Sequence, residues 1–325
     1  MTDNIERVSL TEMPDKLEFK PGFIERYSKL TDFENFSRAN QTFLRRAIRV
    51  NTLKITVQEL KKRLEGDWIL EPIPWCREGF YIEHRGEEKR RDIGNLKEHA
   101  LGYIYLQEAA SMIPPLVMDI EEDMKVLDMC AAPGSKTTQI GAMLNNTGFL
   151  IANDLQGMRL KPLSLNVQRM GLTNSVITQG KAQNLRYLNQ KFDRVLLDAP
   201  CSGTGTICKS LKTVKTWNPA GITKLAKTQQ KLIETAFGLL NPGGILVYST
   251  CSVEPEENEG VIDHLLRNFP DAEIMPIKLN IKSSEPITEF EDTVYDNEIK
   301  KSLRLWPQDN MTEGFFVCKI RKRPS

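Results

Sequence analysis

The sequence predicts an α/β protein: a doubly wound, mostly parallel sheet of Rossmann type with a terminal antiparallel hairpin, preceded by a small α+β domain. Three observations predict it. From about residue 102 short apolar runs alternate with helix-patterned stretches, the rhythm of strand–helix–strand units. The apolar runs end on residues that carry chemistry, Asp128, Asp154, Asp198 and Cys251, the position from which open α/β sheets address ligands. The stretch before residue 102 mixes short strands and helices without that rhythm.

Taken in order, residues 1–20 are polar and unpatterned, and a flexible arm is expected there. Phe23, Ile24, Tyr27, Leu30, Phe33 and Phe36 recur at helical spacing up to Ala39. Arg45 to Leu53 and Gly79 to Glu83 read as strands. Thr56 to Leu64 reads as a helix whose Thr56 and Glu59 form a capping box. The small domain is expected over 21–101, with the seam near Leu101–Gly102 and the large domain over 102–325. In the large domain, strands are predicted at Lys125–Asp128, Gly148–Asn153, Ser175–Thr178, Asp193–Leu197 and Gly244–Tyr248. Helices are predicted at Thr137–Leu144, Arg159–Met170 and Lys224–Leu240, and Asn241-Pro242-Gly243-Gly244 is a strong break. Arg304 to Arg321 reads as the terminal hairpin.

The bulk numbers exclude several classes. With 325 residues, 40% hydrophobic and 27% charged, the chain has the composition of a soluble globular protein. A net charge of +1 announces no global field for nucleic acid, so any such binding must come from local patches. Candidates are Arg45, Arg46 and Arg49, Lys61 to Arg63, Lys89 to Arg91, and Lys319, Arg321, Lys322 and Arg323; a solvated face is the plainer reading of each. No apolar run could target or span a membrane, so the cytoplasm is the expected compartment. The six cysteines show no C-x-x-C spacing and the three histidines are isolated, so neither a disulfide framework nor a metal site is expected.

The turn after Asp128, Cys130-Ala131-Ala132-Pro133-Gly134-Ser135-Lys136, is built from small residues. It allows close backbone approach to a ligand and opens a helix whose N–H groups suit an anion. Asp154 is placed to bind ribose hydroxyls, although a lone acid there also serves as a helix cap. Asp198 precedes Pro200-Cys201 and could hydrogen-bond the polar edge of a flipped-out base. Cys201 and Cys251 follow strands expected to be neighbours. Their Ser, Thr and Gly flanks predict thiols near backbone N–H groups, where thiolate is favoured. Lys136 supplies positive charge nearby. Cys76, Cys208 and Cys318 read as inert apolar residues.

These segments resemble the Sun-family RNA cytosine-5 methyltransferases, which use S-adenosylmethionine. The resemblance spans nearly the whole chain: RVNTLK from Arg49, YLQEAASM from Tyr105, DMCAAPGSKT from Asp128, ANDL with Arg159, DAPCSGTG from Asp198, STCSVEPEENE from Ser249, and TEGFF near the end. It implies an RNA-binding extension ahead of a methyltransferase domain. Cys251 is then the nucleophile at carbon 6 of cytosine, Asp198 holds or protonates the ring nitrogen, Lys136 supports it, and Cys201 assists release. The cofactor is held by residues 130–136, Asp154, Arg159, Lys181 and Asp198, and the RNA is transfer RNA first, ribosomal RNA second. The chemistry has its own logic, because carbon 5 of cytosine is a poor nucleophile until a thiolate adds to the ring.

Two positions depart from the family pattern. Lys181 stands where an acid is usual near the adenine, and a lysine cannot accept from the adenine amino group. Gln308 stands where a histidine is common. They motivate a second reading, a degenerate member that binds RNA without catalysis, against which Cys251, Cys201 and Asp198 argue. A small-molecule methyltransferase would need neither the front domain nor two cysteines on the rim. Lys209, Lys212, Lys215 and Trp217, after the Cys201 loop, are candidates to flank RNA or to be a solvated loop.

Overall fold

A computed structural model describes residues 11–12, 17–87, 90 and 92–324. The expected arm of residues 1–20, and Lys89 and Arg91 of one basic cluster, lie largely outside the described residues.

The first helices are α1 (Pro21–Leu30) and α2 (Phe33–Asn40), the latter capped by Asp32, whose side chain accepts from the Asn35 amide. The small domain follows as β1 (Ala47–Val50), α3 (Val57–Leu64), β2 (Trp68–Ile73), β3 (Cys76–His84) and β4 (Ile104–Leu106). The capping box is present: Thr56 accepts from the Glu59 amide and Glu59 from that of Thr56. Its antiparallel sheet has the order β2-β3-β1-β4. β4 lies beyond the expected seam at Leu101–Gly102, yet pairs Ile48 with Leu106 and Val50 with Ile104. Sequence reading missed β2 and β4 because both are short and lack clean alternation.

The large domain contains β5 (Lys125–Asp128), α4 (Ser135–Met143), β6 (Phe149–Asp154), α5 (Gly157–Met170), β7 (Ser175–Gln179), β8 (Phe192–Asp198), α6 (Pro219–Gly238), β9 (Leu240–Thr250), α7 (Glu259–Asn268), β10 (Ala272–Met275), β11 (Leu303–Leu305) and β12 (Phe315–Lys322). These strands form an eight-stranded sheet of order β10-β12-β9-β8-β5-β6-β7, with β11 added to β12. From β7 to β9 it is parallel; β12 pairs antiparallel with β9, β10 and β11. The sheet is buried on both faces. Along β8, Leu196 enters the core on one side while Val195 and Leu197 enter the core on the other, as alternation requires.

The expected break at Asn241–Gly244 is an irregularity within β9. Leu240 pairs with Phe192, pairing resumes at Ile245 with Arg194, and Gly243 takes the left-handed conformation (φ 78°). After β7 the chain crosses over to place β8 beside β5, so strand order reverses there. The carboxyl ends of β5 and β8 open the crevice in which such sheets bind ligands.

Two docking features set the geometry of the crevice. RVNTLK holds the small domain to the large one. Arg49, buried, donates to Ser135 O (2.8 Å), Thr138 Oγ1 (3.0 Å) and both Gln107 and Gln139. Asn51 Nδ2 donates to Gly102 O and Met170 O (both 2.8 Å), and Lys54 Nζ to Arg169 O (2.8 Å). Separately, α1 and α2 seat Phe23, Tyr27 and Phe36 in an aromatic cluster with Trp217 and Trp306 of the large domain.

Candidate active site

The turn after β5 contains a cis Ala132–Pro133 bond and Gly134 at φ 107°. A Cβ on Gly134 would stand 3.0 Å from Leu163 Cδ1 in a conformation that L side chains rarely adopt, so glycine is required here. Behind the turn, Asp154 is buried. Its Oδ2 accepts from Ala132 N (3.1 Å), its Oδ1 from Gln156 N (3.0 Å), and Arg159 Nη1 lies 3.5 Å from Oδ2. Arg159 also donates to Ala132 O. Asp154 therefore fastens the loop to the start of α5.

The loop walls a cleft of about 250 Å³ lined by Cys130, Ala131, Ala132, Pro133, Ser135 and Lys136, together with Asp128, Arg159, Asp198, Cys251, Glu313 and Phe315. Asp128 is 1% exposed; Thr137 Oγ1 donates to its Oδ2 (2.6 Å), and its Oδ1 has no partner. Burial pushes its pKa up to about 7, with the Thr137 bond opposing. A buried, unpartnered acceptor on the wall suits a cationic or hydroxylated ligand group.

At the head of the cleft Lys136 Nζ donates to Asp198 Oδ2 (2.7 Å) and Ser111 Oγ (3.1 Å), 5.5 Å from the Phe315 ring centroid. Burial disfavours the Lys136 ammonium, but the Asp198 carboxylate outweighs it and holds the pKa above its ordinary value. Ser249 Oγ donates to the other Asp198 oxygen (2.7 Å), so that carboxylate is fixed from both sides. Cys201 and Cys251 meet with their sulfurs 3.4 Å apart. This follows from β8 and β9 being parallel neighbours with Asp198 opposite Ser249. The expectation that both sites favour thiolate fails for Cys201. Contact with Cys251 and then burial push that thiol well above its ordinary value, and the Gly203 amide offsets too little. Cys130 is likewise pushed up, chiefly by burial. Cys76, Cys208 and Cys318 are buried, with thiols raised to about 12.

Over 317 residues the chain is 47% identical to the tRNA (cytosine(49)-C(5))-methyltransferase of Pyrococcus abyssi, covering 95% of this chain and 99% of that one. The family model of 16S rRNA methyltransferase RsmB/F matches residues 115–321, and that of the RsmF N-terminal domain matches 19–109. The chain belongs to the RsmB/F family. It is thus an RNA methyltransferase of the Sun type, a group that depends on S-adenosylmethionine. It is also 43% identical over 298 residues to the ribosomal RNA small subunit methyltransferase F of Vibrio parahaemolyticus, covering 90% of this chain and 60% of that one. It spans less than two thirds of the length of those ribosomal relatives. Among solved structures, a methyltransferase homolog from Pyrococcus horikoshii aligns with TM-score 0.79 and 36% identity over 93% of this chain and 99% of that one. NSun6 from the same organism, solved with the S-adenosylmethionine analogue SFG, aligns with TM-score 0.80 and 25% identity over 97% of this chain and 99% of that one.

In this RsmB/F chain several sequence candidates lie outside the cleft lining or hold partners within the protein. Lys181 is exposed at the start of the turn after β7 and does not line the cleft. Lys209 pairs with Glu313 at 2.5 Å. Trp217 packs against Phe23 and donates to Glu254 Oε1 (3.1 Å). Of the basic clusters, Arg49 is the domain clamp, Arg45 pairs with Glu71, Arg63 with Glu98, Lys319 with Asp119 and Arg321 with Glu273. Gln308 Nε2 donates to Thr31 Oγ1 (2.8 Å). Among the described residues no three His, Cys, Asp or Glu side chains are grouped to hold a metal ion, and no helix is long and apolar enough to cross a membrane.

Sequence reasoning missed the work of the acids after Cys251. Glu257 Oε1 accepts from Ser202 N (2.9 Å) and Gln229 Nε2 (3.0 Å), and its Oε2 from Ser252 Oγ (2.5 Å) and Ser202 Oγ. One buried carboxyl thereby joins the two cysteine loops. Glu254 receives Arg26, Tyr27 and Trp217, and Glu259 pairs with buried Arg304 at 2.5 Å. The signal was the run EPEENE itself, four acids within the six residues 254–259.

Proposed function

We propose that this chain methylates carbon 5 of cytosine in RNA, transfer RNA in particular, through a covalent Cys251–cytosine adduct. The observation that carries the reading is the pair of thiols 3.4 Å apart beside the fixed Lys136–Asp198 pair. Transfer RNA is favoured over ribosomal RNA because the 47% identical relative, matched over 99% of its length, is named for tRNA.

S-adenosylmethionine supplies a methyl group on a sulfonium, and the residues of the cleft fit it. The left-handed Gly134 turn brings backbone close, Asp128 offers an unpartnered carboxylate oxygen, and Arg159 and Asp154 fix the loop. The chain's own residues do the rest. Cys251 Sγ, as thiolate, bonds to carbon 6 of the cytosine. The electron pair displaced from the 5,6 double bond is held by protonation at the ring nitrogen, through Asp198 with Lys136 as the proton source. The pair then returns toward carbon 5, making it the nucleophile. After methylation the ring nitrogen returns its proton to Asp198, and the carbon 5 proton passes to a water acting as base. The pair of that broken C–H bond re-forms the 5,6 double bond, and the carbon 6–sulfur bond breaks with Cys251 leaving as thiolate. Cys201, kept as a thiol at 3.4 Å, is placed to give that thiolate a proton.

The test is transfer of labelled methyl from S-adenosylmethionine into unmodified total RNA, read as 5-methylcytosine, with Cys251→Ala and Cys201→Ala beside the wild type. Expected are product from the wild type only, label in the tRNA fraction, and a covalent protein–RNA complex with Cys201→Ala on a denaturing gel. RNA binding without product from the wild type would favour the degenerate reading, and label in ribosomal RNA would move the substrate.

A further inference from the structure

A second cleft, of about 500 Å³, lies beside the catalytic one and is lined by Asn35, Arg38, Thr42, Lys282, Gln308 and Met311. It forms where α2 meets the turn at Pro307–Asn310. None of its residues takes part in the chemistry above. Met311 lines it in the left-handed conformation (φ 54°), and Glu313, two positions on, lines the catalytic cleft. Two residues of chain span at most about 7 Å, so the segment from Met311 to Glu313 is a wall common to both clefts.

The lining is cationic and hydrogen-bonding. Arg38 and Lys282 are exposed, and Arg38 donates to Asn35 within the wall. The two nearby acids are engaged: Asp309 Oδ2 accepts from Ser284 Oγ and Trp306 N, both 2.9 Å, and Asp32 Oδ2 accepts from Asn35 Nδ2 (2.6 Å). One half of the Gln308 amide is held by Thr31, while the other half is buried without a partner. A buried amide atom without a partner is costly unless a ligand completes it. Met311 adds an apolar surface.

We propose that this cleft is a second RNA subsite, which takes the phosphate and ribose of a nucleotide next to the target cytosine. The proposal rests on the RNA methyltransferase reading above. A base extruded into the catalytic cleft leaves its flanking backbone over the shared wall, and contacts to flanking nucleotides set substrate choice in enzymes that flip bases. Arg38 and Lys282 answer a phosphate. The unpartnered Gln308 Oε1 answers a 2′-hydroxyl as its acceptor, while Asn35 Nδ2 and Thr42 Oγ1 already donate to Asp32 Oδ2 and Arg38 O.

The test is the salt dependence of binding to a short fluorescein-labelled oligocytidylate, which needs no turnover, together with methylation kinetics. Arg38→Gln with Lys282→Gln is compared with Lys125→Gln with Lys191→Gln, a pair on the exposed amino-terminal edge of the sheet. Loss of the contact to one phosphate of a single strand lowers the log–log salt slope by about 0.7. Expected are that drop and a several-fold rise in KM for RNA with the Arg38/Lys282 pair, with kcat and KM for S-adenosylmethionine unchanged. The Lys125/Lys191 pair is expected to leave the slope where it was. An unchanged slope for the first pair, or equal drops for both, overturns the proposal. Should the wild type bind but not methylate, the slopes still decide the subsite while the catalytic reading fails on its own.

Discussion

Replacing Arg49 by Met keeps the aliphatic stem and removes the donors that Arg49 extends to Gln107 and α4. The guanidinium is 2% exposed and reaches Ser135 O, Thr138 Oγ1, Gln139 Oε1 and Gln107 Oε1. Burial, the largest influence, lowers its pKa from 12.5 to about 10. That drop corresponds to roughly 3 kcal/mol against the charged form. Hydrogen bonds from a charged donor contribute about 1.5–3 kcal/mol each, so the four bonds outweigh the burial by at least about 3 kcal/mol. Relief on mutation is partial, because Gln107 Nε2 already donates to Gln139 Oε1 at 3.1 Å and Thr138 Oγ1 to Ser135 O at 3.1 Å. The expected loss is therefore about 3 kcal/mol, read as a lower urea midpoint at an unchanged slope. Because Ser135 opens α4 and lines the cleft proposed for the cofactor, KM for S-adenosylmethionine should rise as well. Arg49→Lys, with the charge but not the fork, should fall between. A loss under about 1 kcal/mol with KM unchanged would refute the clamp.

Other perturbations follow from the same geometry. Asp128 is raised to about 7, so between about pH 4 and 7 the folded protein keeps a proton that the unfolded chain has released, and stability falls as pH rises through that window. Asp128→Asn should raise the melting temperature at pH 8, by up to about 4 kcal/mol of stability, and leave it unchanged near pH 4; equal effects at both pH values would contradict this. Gly205→Ala puts a Cβ 2.2 Å from Gly314 O and 2.7 Å from Cys251 O. It should cost about 3 kcal/mol or more and slow adduct formation; a wild-type melting curve would sink the argument. Glu257→Gln faces four donors with an amide that can accept them on one side only. It should cost about 2 kcal/mol and loosen both cysteine loops, measured as faster alkylation of Cys201 by iodoacetamide; unchanged alkylation would count against the bridge.

Much of the large domain was legible because its signals are local. Apolar runs such as KVLD and FLIAND, ending on acids and followed by helical periodicity, write out the parallel sheet one unit at a time. The capping box at Thr56 and Glu59 needs only three residues of separation. The neighbouring positions of Cys201 and Cys251 were readable because consecutive strands of such a sheet tend to pair. Signals that depend on distant partners were not legible. β4 belongs to the small domain because Ile48 pairs with Leu106, 58 residues on, and nothing within Ile104–Leu106 announces that partner.

Charge shows the division most clearly. The sequence by itself determined that Arg49, Lys209, Glu254, Glu257 and Glu259 are ionisable. It also determined that the chemical kit comprises two thiols, a carboxylate and a lysine. Only the tertiary structure decided which charges meet solvent and which are taken into the interior. Arg49 became a clamp, Lys209 a partner of Glu313, and Glu257 the bridge between the two thiol loops. It also decided that Cys201 stays a thiol. A pKa depends on burial and on neighbours within a few ångströms, and those neighbours, such as Cys251 for Cys201, lie 50 residues away in the chain.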